Sequence, residues 1–182
     1  MARLFAAIAL DNEARRFAVS VSEQLASAQI PCRLERPEKL HITLAFLGSH
    51  PAERITAFGE ALARVATQCE PFRLRLDRLG GFPERRPRLL WLGSSTRDQA
   101  YADCAVRVRE AFGALGSHCD VNTDPHVTLC RCKLPLPAVP ASALARGVEL
   151  EVRELTLYES LPDGPTTRYE ARAVAPLQRG EH

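Results

Sequence analysis

The helical segments of this chain are marked by apolar residues that recur every three or four positions. Phe17, Val21 and Leu25 give this spacing in the first segment, which Asp11 or Asn12 can cap. The pattern predicts helices over residues 13–28, 51–66 and 96–115, and a shorter helix near residues 141–146.

The other apolar segments alternate with charged residues or form short unbroken runs, as strands do. FRLRLDRL, residues 72–79, alternates throughout and predicts a half-buried strand. We expect a loop after it, because Gly80, Gly81, Pro83 and Pro87 favour turns. The other predicted strands cover residues 3–10, 32–36, 40–48, 89–93, 126–132, 148–158 and 169–174, and the segment around Val121 is predicted to be extended.

The order of these elements repeats once along the chain. Each half contains helices and several strands, and no low-complexity linker separates the halves. The pattern therefore predicts one α+β domain over residues 1–182, built from two similar lobes around a shared cleft, with the lobe boundary near residues 90–97.

Composition excludes few functions and adds one expectation about location. The net charge of +2 does not by itself indicate a nucleic-acid binder, and no apolar run approaches the ~20 residues of a membrane span. Only Lys39 and Lys133 are lysines; codon bias is the preferred explanation for the excess of arginine. The six cysteines form no CxxC pair, so we expect small buried residues of a soluble, cytoplasmic protein.

One short pattern occurs twice. HITL begins at His41 and HVTL begins at His126, so both predicted strands read His, apolar, Thr, Leu. Alternate residues of a strand share a face, so His41 projects with Thr43 and His126 projects with Thr128. If the lobes are related by a pseudo-twofold axis, the two pairs can face each other across the cleft.

Two imidazoles and two hydroxyls suit displacement at phosphorus. A neutral histidine can take a proton from water, a protonated one can give a proton to the leaving oxygen, and threonine can donate to phosphate oxygens. Two other interpretations stay open at this point. The residues can be purely structural, or the histidines can bind zinc, although neither motif has an obvious third ligand nearby.

At these residues the sequence resembles the two-histidine phosphoesterase superfamily. It looks most like the bacterial and archaeal RNA 2',3'-cyclic phosphodiesterase family, once called 2'-5' RNA ligases. The resemblance covers nearly the whole chain and is carried by RLFAAIAL, RPEKLHITLAFLG, GGFPERRPRLLWLG, PHVTLCR and LTLYES, in that order.

The resemblance implies a fold and an activity. The fold would be two α+β lobes with antiparallel sheets flanking a central active-site groove and helices outside. The activity would be hydrolysis of a 2',3'-cyclic phosphate at an RNA end, or of a small cyclic nucleotide, to a 2'-phosphate. This activity would need no metal and no cofactor. We expect the protein to be a monomer that does not associate with a membrane. His41 would be the proton donor, His126 the proton acceptor, and Thr43 and Thr128 would hold the phosphate.

Substrate contacts are less defined in the sequence. The family's second motif often carries an arginine at the position of Arg131, but strict alternation puts Arg131 on the face opposite His126, so a bulge would be needed. Arg85 and Arg86 lie in the predicted loop and are candidates for RNA phosphates. Asp124 stands where the family often has arginine, which puts the substrate preference in doubt.

Aromatic residues offer stacking surfaces for bases. Tyr158 is one candidate, whereas Trp91 lies in an apolar strand and is predicted to belong to the core.

Two other functions remain open for the whole chain. It could join RNA halves through a 2'-5' linkage, the reverse reaction with an RNA hydroxyl in place of water, or it could be an RNA- or nucleotide-binding module without turnover.

Overall fold

The computed structural model describes residues 1–121, 124–139 and 146–178. Its three α-helices are α1 (Asn12–Ser27), α2 (Ile55–Ala66) and α3 (Gln99–Gly113). Its strands are β1 (Ala2–Ala9), β2 (Cys32–Leu34), β3 (His41–His50), β4 (Phe72–Leu76), β5 (Arg78–Phe82), β6 (Leu89–Gly93), β7 (Asp120–Val121), β8 (His126–Cys132), β9 (Val148–Val152), β10 (Glu154–Asp163) and β11 (Thr166–Pro176).

Nine of these strands form one antiparallel sheet. Its central order is β11-β10-β1-β3-β8-β6-β5, with β2 also on β8 and β7 also on β3, while β4 and β9 pair separately. The predicted α+β fold with antiparallel sheets is confirmed. Strands from the two ends of the chain are neighbours, since β10 lies beside β1. The one-domain division with a boundary near residues 90–97 stays a prediction.

The helices pack against different parts of this sheet. Helix α1, capped by the Asp11 carboxylate, packs on β2, β8 and β9; α2 packs on β10 and β11; and α3 packs on β3 and against α2. Their apolar faces and the inward side chains of the strands form one hydrophobic cluster. Among the residues that the structure describes, no helix is long and apolar enough to cross a membrane.

Two predicted strands are in fact broken. Residues 72–79 divide at Asp77, whose carboxylate accepts hydrogen bonds from the Ser95 amide at 2.8 Å and the Ser95 hydroxyl at 2.9 Å. This anchor lets β4 pair with β9 while β5 pairs with β6. The second broken strand, predicted over residues 148–158, divides at Arg153 into β9 and β10.

The glycine pair that predicted a loop lies inside strand β5. Gly80 is paired with Trp91 of β6, and a Cβ at Gly80 would lie 2.1 Å from the indole ring. The indole therefore occupies the space that a side chain at Gly80 would fill, which favours glycine in a strand here. The short helix predicted near residues 141–146 lies, except for Arg146, outside the described residues.

Candidate active site

The two HxT strands, β3 and β8, are neighbours in the sheet. They pair antiparallel, with Ile42 opposite Val127. In an antiparallel pair, this register places His41 opposite Thr128 and Thr43 opposite His126. The four side chains share one face, while Ile42 and Val127 are buried on the other. The sheet therefore brings the two motifs together around a local twofold axis.

This register sets the spacing of the two imidazoles. Directly opposite residues have Cβ atoms ~5 Å apart and diagonal neighbours are ~7–8 Å apart. His41 and His126 are diagonal neighbours, with one threonine beside each of them. Two imidazoles thus flank a space that can hold a single small anion such as a phosphate.

Both imidazoles are oriented in the same way by the backbone. His41 Nδ1 donates to the Lys39 carbonyl oxygen at 2.6 Å, and His126 Nδ1 donates to the Asp124 carbonyl oxygen at 3.1 Å. In each case the acceptor lies two residues earlier in the chain. With the Nδ1 proton held there, Nε2 of each ring is the atom left for proton transfer.

The immediate surroundings of His41 are enclosed. The Thr43 hydroxyl lies 3.0 Å from His41 Nε2, and the ring centroids of Phe5 and Tyr169 are 5.0 Å and 5.3 Å from the imidazole. Burial lowers the pKa of His41 below its ordinary value. The Lys39 carbonyl and the Glu35 carboxylate raise that pKa in part, whereas the charges of His126 and Lys39 lower it further.

A bulge brings Arg131 to the same face as the second motif. Leu90 of β6 pairs with Cys130 but the next residue, Trp91, pairs with Thr128, so Leu129 has no opposite residue on β6. Leu129 and Cys130 are buried in succession, and Arg131 is exposed. The opposite-face position from strict alternation is therefore wrong for Arg131, because the extra residue resets the alternation.

The first motif carries a matching bulge. Ala6 of β1 pairs with Ala45 and Ala7 pairs with Thr43, which leaves Leu44 between them. The residue that emerges on the groove face is Phe46, with 56% of its surface exposed. Phe46 and Arg131 are thus equivalent positions, each five residues after its histidine, with different chemistry.

A groove of about 730 Å³ lies over the first motif, and it is positively charged. Among the described residues, its lining includes the cations Arg3, Arg33, Lys39 and Arg131 and one carboxylate, that of Glu35. Glu35 lies 2.9 Å from Arg131 Nε and 3.9 Å from Lys39 Nζ. The whole-chain charge of +2 therefore understates how well this groove can attract an anion.

Lys39 and Glu35 are functional candidates that the sequence did not single out. Their side chains are only 10% and 13% exposed, so the pair is more than a solvated surface contact. Lys39 Nζ also donates to the Thr167 hydroxyl at 3.0 Å and lies 4.8 Å from the centre of the Tyr169 ring. The scarcity of lysine in the chain was the one signal available for Lys39.

A second depression, of about 830 Å³, lies on the His126 side. Trp91 lines it, half-buried, with its ring centre 6.0 Å from the His126 imidazole. The prediction that Trp91 belongs to the core is wrong, because its pairing with Thr128 puts it on the face of the HxT motifs. Arg78 lies 5.8 Å from the indole centre and completes this wall.

The remaining candidates are farther from the motifs. Arg85 and Arg86 are exposed in the loop between β5 and β6 and are not among the residues lining either depression, so their contact with RNA stays a prediction. Tyr158 is half-buried and stacks on Phe5, with their ring centroids 5.3 Å apart.

The zinc interpretation of the histidines finds no support in the described residues. Among them, the group with metal-ligand spacing is Cys32, Cys130 and Cys132, and it contains neither histidine.

Comparisons with known proteins agree on one family. The model of the LigT like Phosphoesterase family matches residues 8–91. An RNA 2',3'-cyclic phosphodiesterase of Geobacillus stearothermophilus is 36% identical over 180 residues, which is 95% of this chain and 56% of that protein, so the chain spans just over half of this relative. One from Archaeoglobus fulgidus is 32% identical over 171 residues, 90% of this chain and 94% of that protein.

A solved structure gives the same result. The crystal structure of TT0787 of Thermus thermophilus superposes with a TM-score of 0.84 at 30% identity and covers 99% of this chain and 100% of that chain. The likeness therefore extends over both HxT strands and the whole described sheet.

Proposed function

Because this chain belongs to the LigT-like phosphoesterase family, we propose that it hydrolyses the 2',3'-cyclic phosphate at an RNA end to a 2'-phosphate. The observation that carries the proposal is the antiparallel pairing of the two HxT strands, with Ile42 opposite Val127. The substrate class is supported by the relatives described above, which are RNA 2',3'-cyclic phosphodiesterases.

The phosphate would lie between the motifs. The Thr43 and Thr128 hydroxyls would donate to its non-bridging oxygens and stabilise the charge that develops there. The groove cations Lys39 and Arg131 would supply the surrounding positive field. This placement leaves one imidazole on each side of the phosphorus atom, as in-line displacement requires.

The two imidazoles would then divide the proton transfers. His126 Nε2 takes a proton from water as its oxygen attacks phosphorus, and the bond to O3' breaks as His41 Nε2 gives that oxygen a proton. This assignment of donor and acceptor follows the family resemblance, since the motifs are alike in backbone. The ribose keeps the phosphate on O2', and each histidine is restored by proton exchange with solvent.

The donor role requires a protonated His41, although its enclosed position lowers its pKa. The negative charge of a bound phosphate favours the imidazolium, so substrate binding itself would raise the pKa of His41. Binding in this groove and activation of the acid are thus linked in the proposal.

The proposal extends to the form and place of action. The two motifs are supplied by a single chain, so we propose a monomer as the active unit. Free cysteines suit a reducing compartment, and we place the enzyme in the cytoplasm. All the groups named in the reaction are side chains or water, so the reaction as proposed needs no metal.

Hydrolysis of a short RNA ending in a 2',3'-cyclic phosphate tests the proposal. The wild type with EDTA present should release a 2'-phosphate end, and His41→Ala and His126→Ala should each release it about 10²–10⁴-fold more slowly. His118→Ala is a matched control, since His118 is exposed and belongs to neither motif. Intact binding without turnover in the wild type would contradict the enzyme and favour a binding module.

A further inference from the structure

Three cysteines that are far apart in the sequence meet on the far side of β8 from the groove. Cys32 of β2 pairs directly with Cys132, and Cys130 lies two pairs further along, opposite Leu34. The three sulfur atoms all lie within 4.8 Å of one another. Cys130 and Cys132 are buried, Cys32 is half-buried, and all three are free thiols.

We propose that Cys32, Cys130 and Cys132 form a binding site for one thiophilic d10 metal ion, Cu⁺ or Zn²⁺. Three convergent thiolates are the ligand set that such soft ions select. Among the described residues, this metal-ligand group consists of three cysteines and so offers three sulfur ligands. A three-coordinate Cu⁺ fits it directly, whereas Zn²⁺ takes a water molecule as its fourth ligand.

The geometry needs only a small adjustment. With metal–sulfur bonds of about 2.3 Å, three sulfurs around one ion lie about 4.0 Å apart. Separations of up to 4.8 Å therefore close by less than about 1 Å, which side-chain rotation can supply. The strand pairing of Cys32 with Cys132 holds two of the ligands in place before any ion arrives.

The thiols lose their protons when the metal ion binds. Burial raises the pKa of Cys130 and of Cys132, and the charge of a bound cation stabilises their thiolates against that burial. Arg33 and Arg131, paired on the same two strands between the cysteine positions, offset part of the charge from the groove face. Each thiol gives its proton to solvent as the ion binds, and the half-buried Cys32 side provides access.

The proposed site is separate from the groove but shares its scaffold. Cys130 and Cys132 flank Arg131, whose side chain is on the opposite face and pairs with Glu35, one residue beyond β2. A bound ion would tie β2 to β8 and so brace this ion pair from behind. We expect metal loading to raise the melting temperature and to leave the chemistry of the histidines unchanged.

Titration of the full chain tests the site. The protein is reduced, freed of metal and counted for six thiols, then titrated with Co²⁺ as the spectroscopic substitute for Zn²⁺, and separately with Cu⁺ under anaerobic conditions. We expect one ion per chain, with thiolate-to-metal charge-transfer absorption and a raised melting temperature. Binding of Cu⁺ alone identifies a three-coordinate site, and binding of both ions identifies water as the fourth ligand of Co²⁺.

Variants decide whether these three sulfurs are the ligands. Cys32→Ala, at a half-buried position, should remove the absorption while the fold persists, and Cys130→Ala should do the same. Cys104→Ala removes a buried thiol elsewhere and should bind like the wild type. No charge-transfer absorption in the fully reduced wild type overturns the proposal, as does absorption that survives both Cys32→Ala and Cys130→Ala.

Discussion

Around His41 the wall of the groove is aromatic, with Phe5 and Tyr169 against the imidazole, and it carries the partly buried Lys39–Glu35 pair. Beside His126, Trp91 lies 6.0 Å away and lines the second depression together with Arg78. The two strands share their register, their Nδ1 anchors and their bulges. Equivalent backbones thus carry two different environments, which suits the separate acid and base roles that we propose.

The histidines themselves should give the largest effect. His41→Ala and His126→Ala should each lower kcat by about 10²–10⁴-fold, because each removes one proton transfer from the transition state. Single-turnover hydrolysis of the cyclic-phosphate RNA measures this loss. If one of the two variants kept the wild-type kcat, its histidine would be structural. That result would contradict the proposal that the two motifs supply an acid and a base.

The threonines should come next. Thr43→Val and Thr128→Val keep the shape and remove the hydroxyl, and each should lower kcat by about 10²-fold with little change in KM. The Thr43 hydroxyl also contacts His41 Nε2, so the effect at Thr43 should be at least as large as that at Thr128. Steady-state kinetics on one substrate checks the order, and a rise in KM alone would contradict it.

The bulged positions should separate phosphate from base recognition. Arg131→Gln should raise KM by roughly tenfold for every substrate, since it removes a charge-assisted contact to phosphate. Phe46→Ala should weaken binding by roughly tenfold only where a base can stack on the ring. Comparing an RNA end with a cyclic phosphate that lacks a base tests this, and equal losses for both variants on both substrates would contradict it.

The two bulges are features of the site that could not be predicted from the sequence. The helices, most strands and the shared face of each HxT pair follow from local periodicity, whereas the roles of His41, Thr43, His126 and Thr128 stay predictions. The extra residues Leu44 and Leu129 leave no mark in that periodicity, because they are apolar like their neighbours. Alternation therefore misplaced Arg131 and gave no signal for Phe46.

Contacts between residues that are far apart in the sequence could not be predicted either. The Lys39–Glu35–Arg131 cluster and the position of Trp91 over Gly80 depend on which strands pair, and strand pairing is not encoded in local spacing. The break at Asp77 has the same origin, since its partner Ser95 lies 18 residues away.

The pH dependence should differ between the free and the bound enzyme. The pKa of His41 is lowered in the free protein, and a proton donor must be protonated, so kcat/KM should fall as pH rises through that lowered pKa. A bound phosphate raises the pKa of His41, so the alkaline limb of kcat should lie at higher pH. Coincident limbs for kcat and kcat/KM would contradict this link.

The smallest effect should appear on the His126 side. Gly80→Ala should displace the indole of Trp91, the one tryptophan in the chain, and change its fluorescence with less than about a tenfold change in kcat. Gly113→Ala is the control, because a Cβ there meets nothing within 4 Å. An unchanged emission spectrum for Gly80→Ala would contradict the observed packing.

The division of labour between the two motifs can be tested directly with a substrate whose leaving atom needs no proton. In a 2',3'-cyclic phosphate with sulfur in place of O3', the leaving thiolate is stable without an acid. On this substrate His41→Ala should recover to within roughly tenfold of the wild type, whereas His126→Ala should stay inactive. Recovery of His126→Ala instead, or of neither variant, would contradict the assignment of His41 as the acid and His126 as the base.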